Sequence, residues 1–334
     1  MNFKKKLKLS DIGEKQFLKE IFVYIDTPSV LEVNDDASAF SISENKVLLI
    51  NADMLVSETD ILPGTSLKQI GKKAVTMSVS DIIAKGTFPL ACLASVCFPP
   101  SLDVTDANEI LIGIKEMATE YNSLFLGGDL NQSNDIIIDI ISFGITQPNN
   151  VIPRKGVEPG DVLFTTGTFG WTALGFKILL ENMCVEEEYK IKSLKSVYEP
   201  RAKLEYVKLF ESLPIKASID SSDGLYSSIY ELLSINNLGF SLIHLPVDKN
   251  FVSYCEKNGL NPLELAMNGG EEFEILFAVD KKDKDNLIKK AKKMNLSLIE
   301  VGYFTSNPLE LNIEDKLGEI YSFSKKGFIH FKKS

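Results

Sequence analysis

The residue order predicts an α/β (α+β) protein built in two domains. Three observations carry that expectation. Apolar strand-like runs alternate with amphipathic helical stretches along the chain. The 334 residues are about twice one ordinary domain. A turn-rich break, Gln147-Pro148-Asn149-Asn150, follows a long strand-like run and divides an N-terminal domain, 1–148, from a C-terminal α/β domain, 149–334.

The elements follow in order. Asp11 with Glu14 three residues on reads as a capping box, opening a helix through Phe17, Leu18, Ile21 and Phe22. Strands at 37–42 and 46–51 flank a Glu44-Asn45 turn. A long helix at 67–85 carries Ile70, Ala74, Met77, Val79 and Ile82 on its buried side. A buried strand at 90–98 stops at Pro99-Pro100, before an amphipathic helix at 105–121 and strands at 124–126 and 136–146. Beyond the break, strand 161–166 leads through a glycine turn into helix 171–180. The charged residues 181–198 read as an exposed excursion. Helix 200–212, strand 217–220, helix 224–235 and strand 239–244 come next. A helix at 262–267, a strand at 274–279, a Lys-rich helix at 281–294 and short strands complete the chain.

Composition narrows the function classes. A net charge of −10 argues against nucleic-acid and anionic-membrane partners, and runs such as Ile136 to Ile145 are far short of a membrane span. Polar residues follow the N-terminal Met-Asn-Phe-Lys-Lys-Lys, so a cytoplasmic protein is expected. Cys92, Cys97, Cys184 and Cys255 form no CxxC pair, and only two histidines occur, His244 and His330. Histidine triads and histidine-rich zinc sites are thereby excluded.

The chemistry lies in aspartates. Seven of them sit in short runs flanked by small residues: Asn34-Asp35-Asp36-Ala37, Asn51-Ala52-Asp53, Val79-Ser80-Asp81, Gly127-Gly128-Asp129 and Asp220-Ser221-Ser222-Asp223-Gly224. Singly, each reads as a turn or a helix cap, and Asp223 is an N-cap candidate for helix 224–235. Converging, they would hold more negative charge than a protein tolerates without cations. Such carboxylates suit hard divalent ions, and Mg²⁺ is usually shared between one or two of them and substrate phosphates. No P-loop supplies the phosphate site: six residues separate Gly64 from Gly71, and Lys73 stands where Ser or Thr is needed. Gly167-Thr168-Phe169-Gly170 has the wrong spacing for a dinucleotide fingerprint, and reads equally as an anion cradle or a tight turn. Arg154 and Arg201 are the only arginines; either could clamp a phosphate or be a plain surface charge.

Taken in order, these runs resemble thiamine-monophosphate kinase of the archaeal type, within the aminoimidazole-ribonucleotide synthetase superfamily. The likeness extends from Leu9-Ser10-Asp11-Ile12-Gly13-Glu14 to Lys326-Gly327-Phe328-Ile329-His330-Phe331. It includes Asp53-Met54-Leu55-Val56, Lys73-Ala74-Val75, Pro159-Gly160-Asp161 and Gly269-Gly270-Glu271-Glu272-Phe273-Glu274. The resemblance implies an N-terminal sheet that pairs across a homodimer, with a C-terminal α/β domain against it. It implies ATP-dependent phosphorylation of thiamine monophosphate to thiamine diphosphate with several Mg²⁺ ions. By motif, Asp36, Asp53, Asp81, Asp129, Asp220 and Asp223 would bind metal, with Asp81 and Asp129 central to catalysis. Gly128, Arg154 and Ser222 would contact ATP, and Asp60, Glu271 and Phe328 the thiamine substrate. Asp35 reads as a helper. Three places depart from the family pattern: Asn34 replaces Gly, Asn51-Ala52 replaces a hydroxyl pair, and Ser57-Glu58 stands where Glu and a small residue are usual. Another ATP-using enzyme of the superfamily, of the purine-synthetase type, and a non-catalytic nucleotide-binding regulator remain as alternatives.

Overall fold

A computed structural model of the chain describes residues 7–26, 30–314 and 320–322. The first expected helix is two, α1 (Leu9–Ile12) and α2 (Glu14–Ile21). Gly13 between them has φ 75°, which a right-handed helix cannot include, and the Asp11 carboxylate accepts from Lys8 N–H at 2.9 Å. The N-terminal half continues with β1 (Ser38–Ser43), β2 (Lys46–Val56), α3 (Ser57–Asp60), α4 (Leu67–Ala84), β3 (Ala91–Phe98), α5 (Val104–Glu120), β4 (Leu124–Gln132) and β5 (Ile137–Thr146). Its sheet has the order β1-β2-β5-β3-β4. β2 and β4 run past their expected ends because their ladders continue, β2 on β5 to Val56 and β4 on β3 to Gln132. Asp53 and Gly127-Gly128-Asp129 therefore lie within strands rather than closing them.

α4 starts at a capping box. Ser66 Oγ accepts from Gln69 N–H and Gln69 Oε1 accepts from Ser66 N–H at 3.0 Å. α4 and α5 approach to backbone contact, since a Cβ at Gly71 would stand 2.1 Å from the Ile110 carbonyl oxygen. Together they cover one face of the sheet.

The C-terminal half comprises β6 (Val162–Thr165), α6 (Trp171–Leu180), α7 (Glu187–Tyr198), α8 (Val207–Phe210), β7 (Ala217–Asp220), α9 (Leu225–Asn236), β8 (Gly239–Leu242), α10 (Lys249–Lys257), α11 (Pro262–Met267), β9 (Ile275–Val279), α12 (Lys284–Lys293), β10 (Ile299–Thr305), β11 (Leu311–Glu314) and β12 (Ile320–Ser322). The sheet order is β12-β11-β8-β10-β6-β9-β7. Residues 181–198 are not simply an exposed excursion: α7 buries Ser193 and Val197 against α6. The helix expected at 200–212 is a 3₁₀ turn, Leu204–Tyr206, followed by the short α8. Before it, residues 201–203 have no regular structure, and the Ala202 N–H donates to the Tyr121 hydroxyl at 2.8 Å. α10 was not anticipated; Asp248 caps it by accepting from Asn250 N–H at 2.7 Å.

One core joins the halves. Leu55, Val75 and Val79 on the first sheet and α4 belong to the same buried cluster as Phe164, Tyr206 and Phe277 of the second half. α4 is thus the element through which the sheets are held together.

Candidate metal and phosphate site

The last turns of α4 meet the end of β7 and the loop before β1. There Asp81, Asp220 and Asp36 each offer a carboxylate oxygen, all within 4.8 Å of one another. Local bonds fix this meeting. Ser80 Oγ donates to Asp220 Oδ2 at 2.8 Å, and Asn51 Nδ2 donates to Asp81 Oδ2 at 2.5 Å. The Ser218 hydroxyl donates to the Ala84 carbonyl, and Lys85 Nζ donates to the Ser218 carbonyl at 2.6 Å. Asn51, one of the departures from the family pattern, therefore has a defined task in holding Asp81.

Electrostatics separates the acids. Burial alone would raise the pKa of Asp36, but Arg154 and Lys85 outweigh it and hold the group below the usual carboxylate range. Asp81 is pushed well above that range by burial and then by Asp220, Asp36 and Asp53. Burial, then Asp36, raises Asp220 to about 7. Asp53 rises to about 6 through burial and the nearby Asp60, Asp139 and Asp223. Close, desolvated carboxylates with an all-oxygen donor set fit a hard divalent cation, which would relieve their repulsion.

Strand register places Asp53 and Asp129. Asp53 pairs with Ile140, which pairs with Ala94, which pairs with Gly128. That row belongs to the face covered by α4, where Ile140 is fully buried. Asp129 pairs with Ser95, in the row of Asp139 and Met54, and so belongs to the opposite face. The structure brings Asp36, Asp81 and Asp220 together with Asp53 beside them, and leaves Asp129 outside the group.

A second part of the site is built by two interlocked loops. Glu271 N–H donates to the Ser222 carbonyl at 2.7 Å, and Phe273 N–H to the Ser221 carbonyl at 3.0 Å. Gly224, at φ 93°, lets the loops close: a Cβ there would lie 1.9 Å from the Gly269 carbonyl oxygen. Gly224→Ala is expected to destabilise the fold by at least ~2 kcal/mol, seen as a lowered denaturation midpoint. An unchanged midpoint would contradict this packing. Ser222 and Asp223 are exposed beside these contacts.

Around the loops, the buried Lys73 connects both expected substrate residues that the structure describes. Its Nζ lies 2.5 Å from Glu271 Oε1 and donates to the Asp60 carbonyl at 2.8 Å, while Asp60 Oδ2 accepts from Val56 N–H at 2.7 Å. Glu271 Oε2 is buried without a hydrogen-bond partner, and burial raises the group's pKa against the pull of Lys73. Phe328, the third expected substrate residue, lies outside the described residues.

Arg154 is not a plain surface charge. Its Nε donates to Asp36 Oδ1 at 2.8 Å and its Nη1 to the Asn34 carbonyl at 2.9 Å, while its backbone N–H donates to Asp35 Oδ2 at 2.9 Å. Arg201 instead pairs with Glu120 at the surface. The 167–170 turn is packed on an acid, since a Cβ at Gly167 would stand 2.3 Å from Glu274 Oε1. Sequence reasoning assigned no role to Lys85 or Lys73. A lysine following the apolar Ile82-Ile83-Ala84 at a helix end, just before Gly86, was the available signal for Lys85.

Comparison with known proteins shows the family of the chain. Residues 34–146 match the family described as AIR synthase related protein, N-terminal domain. Thiamine-monophosphate kinase of Nitrosopumilus maritimus is 30% identical over 300 residues, covering 90% of this chain and 93% of that protein. A solved structure described as "AaThiL complexed with AMPPCP and TMP" superposes with a TM-score of 0.84 at 26% identity, over 97% of this chain and 99% of the other. The thiamine monophosphate kinase structure from Aquifex aeolicus gives 0.76 at 27% identity, over 90% and 95%.

Proposed function

Because the chain belongs to the thiamine-monophosphate kinase family, we propose that it transfers the γ-phosphoryl group of ATP directly and in line to thiamine monophosphate, giving thiamine diphosphate and ADP. The observation that carries this reading is the convergence of Asp36, Asp81 and Asp220 within 4.8 Å, with Asp53 beside them.

Asp53, Asp81 and Asp220 would hold Mg²⁺. Bound there, magnesium would supply the charge neutralisation that two approaching polyanions and the transferred phosphoryl group require. The chain's own residues then have defined work. Arg154 borders the acidic group with a guanidinium suited to phosphate. Gly128 and Ser222 would contact the nucleotide, and Asp223 would assist the metal site from the loop that precedes α9. Asp60 and Glu271, fixed through Lys73, present acceptors to the thiamine moiety, whose thiazolium is cationic; the buried Glu271 Oε2 is an open acceptor. Phe328 would offer a stacking face. No protein base is needed, because a phosphate monoester with a second pKa of about 6 is largely ionised at neutral pH.

A homodimer is part of the proposal. The sheet face opposite α4 exposes Phe40, Met54, Leu124 and Ile145, all on the rows that pleat alternation directs outward. Asp129 stands on that face, so its proposed catalytic and metal-binding part is tied to the pairing of two sheets. No described helix is long and apolar enough to cross a membrane. Purified protein supplied with ATP, Mg²⁺ and thiamine monophosphate is expected to form thiamine diphosphate and ADP in equal amounts. A folded protein that binds ATP and forms neither overturns the assignment.

A further inference from the structure

Lys85 caps the C-terminal end of α4, and its side chain is wholly buried. Its ammonium nitrogen lies 2.7 Å from Asp35 Oδ1, 2.7 Å from Asp36 Oδ2 and 2.6 Å from the Ser218 carbonyl oxygen. Three oxygens at such distances form the kind of shell that a bound cation gathers. Arg154 takes the other oxygen of Asp36, with its Nε at 2.8 Å.

The charges divide accordingly. Asp35 and Asp36 face Lys85 and Arg154, two negative charges against two positive, and balance. Asp81 and Asp220 are met by neutral donors, the Asn51 amide and the Ser80 hydroxyl. Arg154 acts on both of them only as a minor, more distant charge. The deficit of positive charge thus falls on Asp81 and Asp220, with Asp53 as a neighbouring negative charge, and spares Asp36, although Asp36 lies within 4.8 Å of Asp81 and Asp220.

We propose that Lys85 is a tethered cation standing in for one divalent ion, so that exchangeable metal binds through Asp53, Asp81 and Asp220 while Asp36 stays committed to Lys85 and Arg154. This rests on the reading of the site as a metal site and specifies which carboxylates are open to metal. The same ammonium joins α4 to β7 through Ser218, so the group that neutralises Asp36 also holds Asp81 and Asp220 in register. A lysine here cannot be lost or exchanged with solvent, unlike an ion.

Mn²⁺ titration of the full chain without nucleotide, read by calorimetry and by the electron paramagnetic resonance of free Mn²⁺, tests this. Lys85→Met is expected to bind one more Mn²⁺ per chain than the wild type, and Lys85→Arg the same number as the wild type. Asp36→Asn is expected to keep the wild-type number of ions. Loss of an ion in Asp36→Asn, or an unchanged number in folded Lys85→Met, overturns the role of Lys85. If Lys85→Met does not fold, Asp36→Asn decides alone. A wild-type protein that binds no Mn²⁺ refutes the metal reading itself, an outcome distinct from failure of the Lys85 assignment.

Discussion

Asp81→Asn is expected to lower kcat by about 10³-fold, because a group that stabilises developing charge in phosphoryl transfer is typically worth two to five powers of ten. The substitution keeps shape and removes one charge from the centre of the group. Asp81 lies within 4.8 Å of Asp36 and Asp220 and is anchored on α4, so nothing nearby can take its place without moving a helix. Its pKa is already raised, first by burial and then by three neighbouring carboxylates. Deleting the charge therefore relieves repulsion in the metal-free protein. Thermal denaturation in a chelator should show a midpoint equal to or above that of the wild type. The two readouts together separate a functional loss from a folding defect. Near-wild-type turnover in the variant would remove Asp81 from the site, and a collapsed midpoint would make its role structural.

How much of this was legible in the residues depends on what each signal measures. α4, β3, α5, β5, α6 and α11 lie within a residue or two of their expected bounds, because apolar periodicity and caps such as Ser66 are local. α7 was misread because charge on a helix marks its solvated face and hides the other, where Ser193 and Val197 pack. The Gly127-Gly128-Asp129 run reads locally as a turn, yet it stays extended because the β3 ladder holds it. The site divides the same way. Small residues beside Asp81 and Asp220 betray a crowded carboxylate, whereas Lys73 and Lys85 look like two more lysines of a Lys-rich chain. Their burial is decided by loops and strands more than a hundred residues away, as in the bond from Lys85 to Ser218. Asn51 appeared only as a departure from a motif; its amide contact to Asp81 gives it a reason.

The stability added by Mg²⁺ is expected to grow as pH rises from about 5 to about 8. The sign follows from the acids themselves. Asp53 near 6 and Asp220 near 7 lie above the unfolded carboxylate value of about 3.9. Between those values the metal-free folded chain holds protons that the unfolded chain has released. Their contribution is therefore fully present below about pH 4 and is lost as pH rises through 6 and 7. At about 1.4 kcal/mol per pKa unit, the two groups together amount to a loss on the order of 7 kcal/mol. Asp36 runs the other way, but its lowered pKa confines its effect to acid pH. Glu272, raised to about 8 by burial, is lost in the same direction as Asp53 and Asp220. It is bonded to Thr172, away from the group, so its share cancels between samples with and without metal. Mg²⁺ must displace the protons on Asp53 and Asp220 to bind, so it is excluded at low pH and restores what the cluster costs at high pH. Denaturation midpoints measured with saturating Mg²⁺ and with a chelator should therefore diverge with pH, and less so in Asp81→Asn. Curves that stay parallel, or converge at high pH, would mean that these carboxylates do not bind the ion.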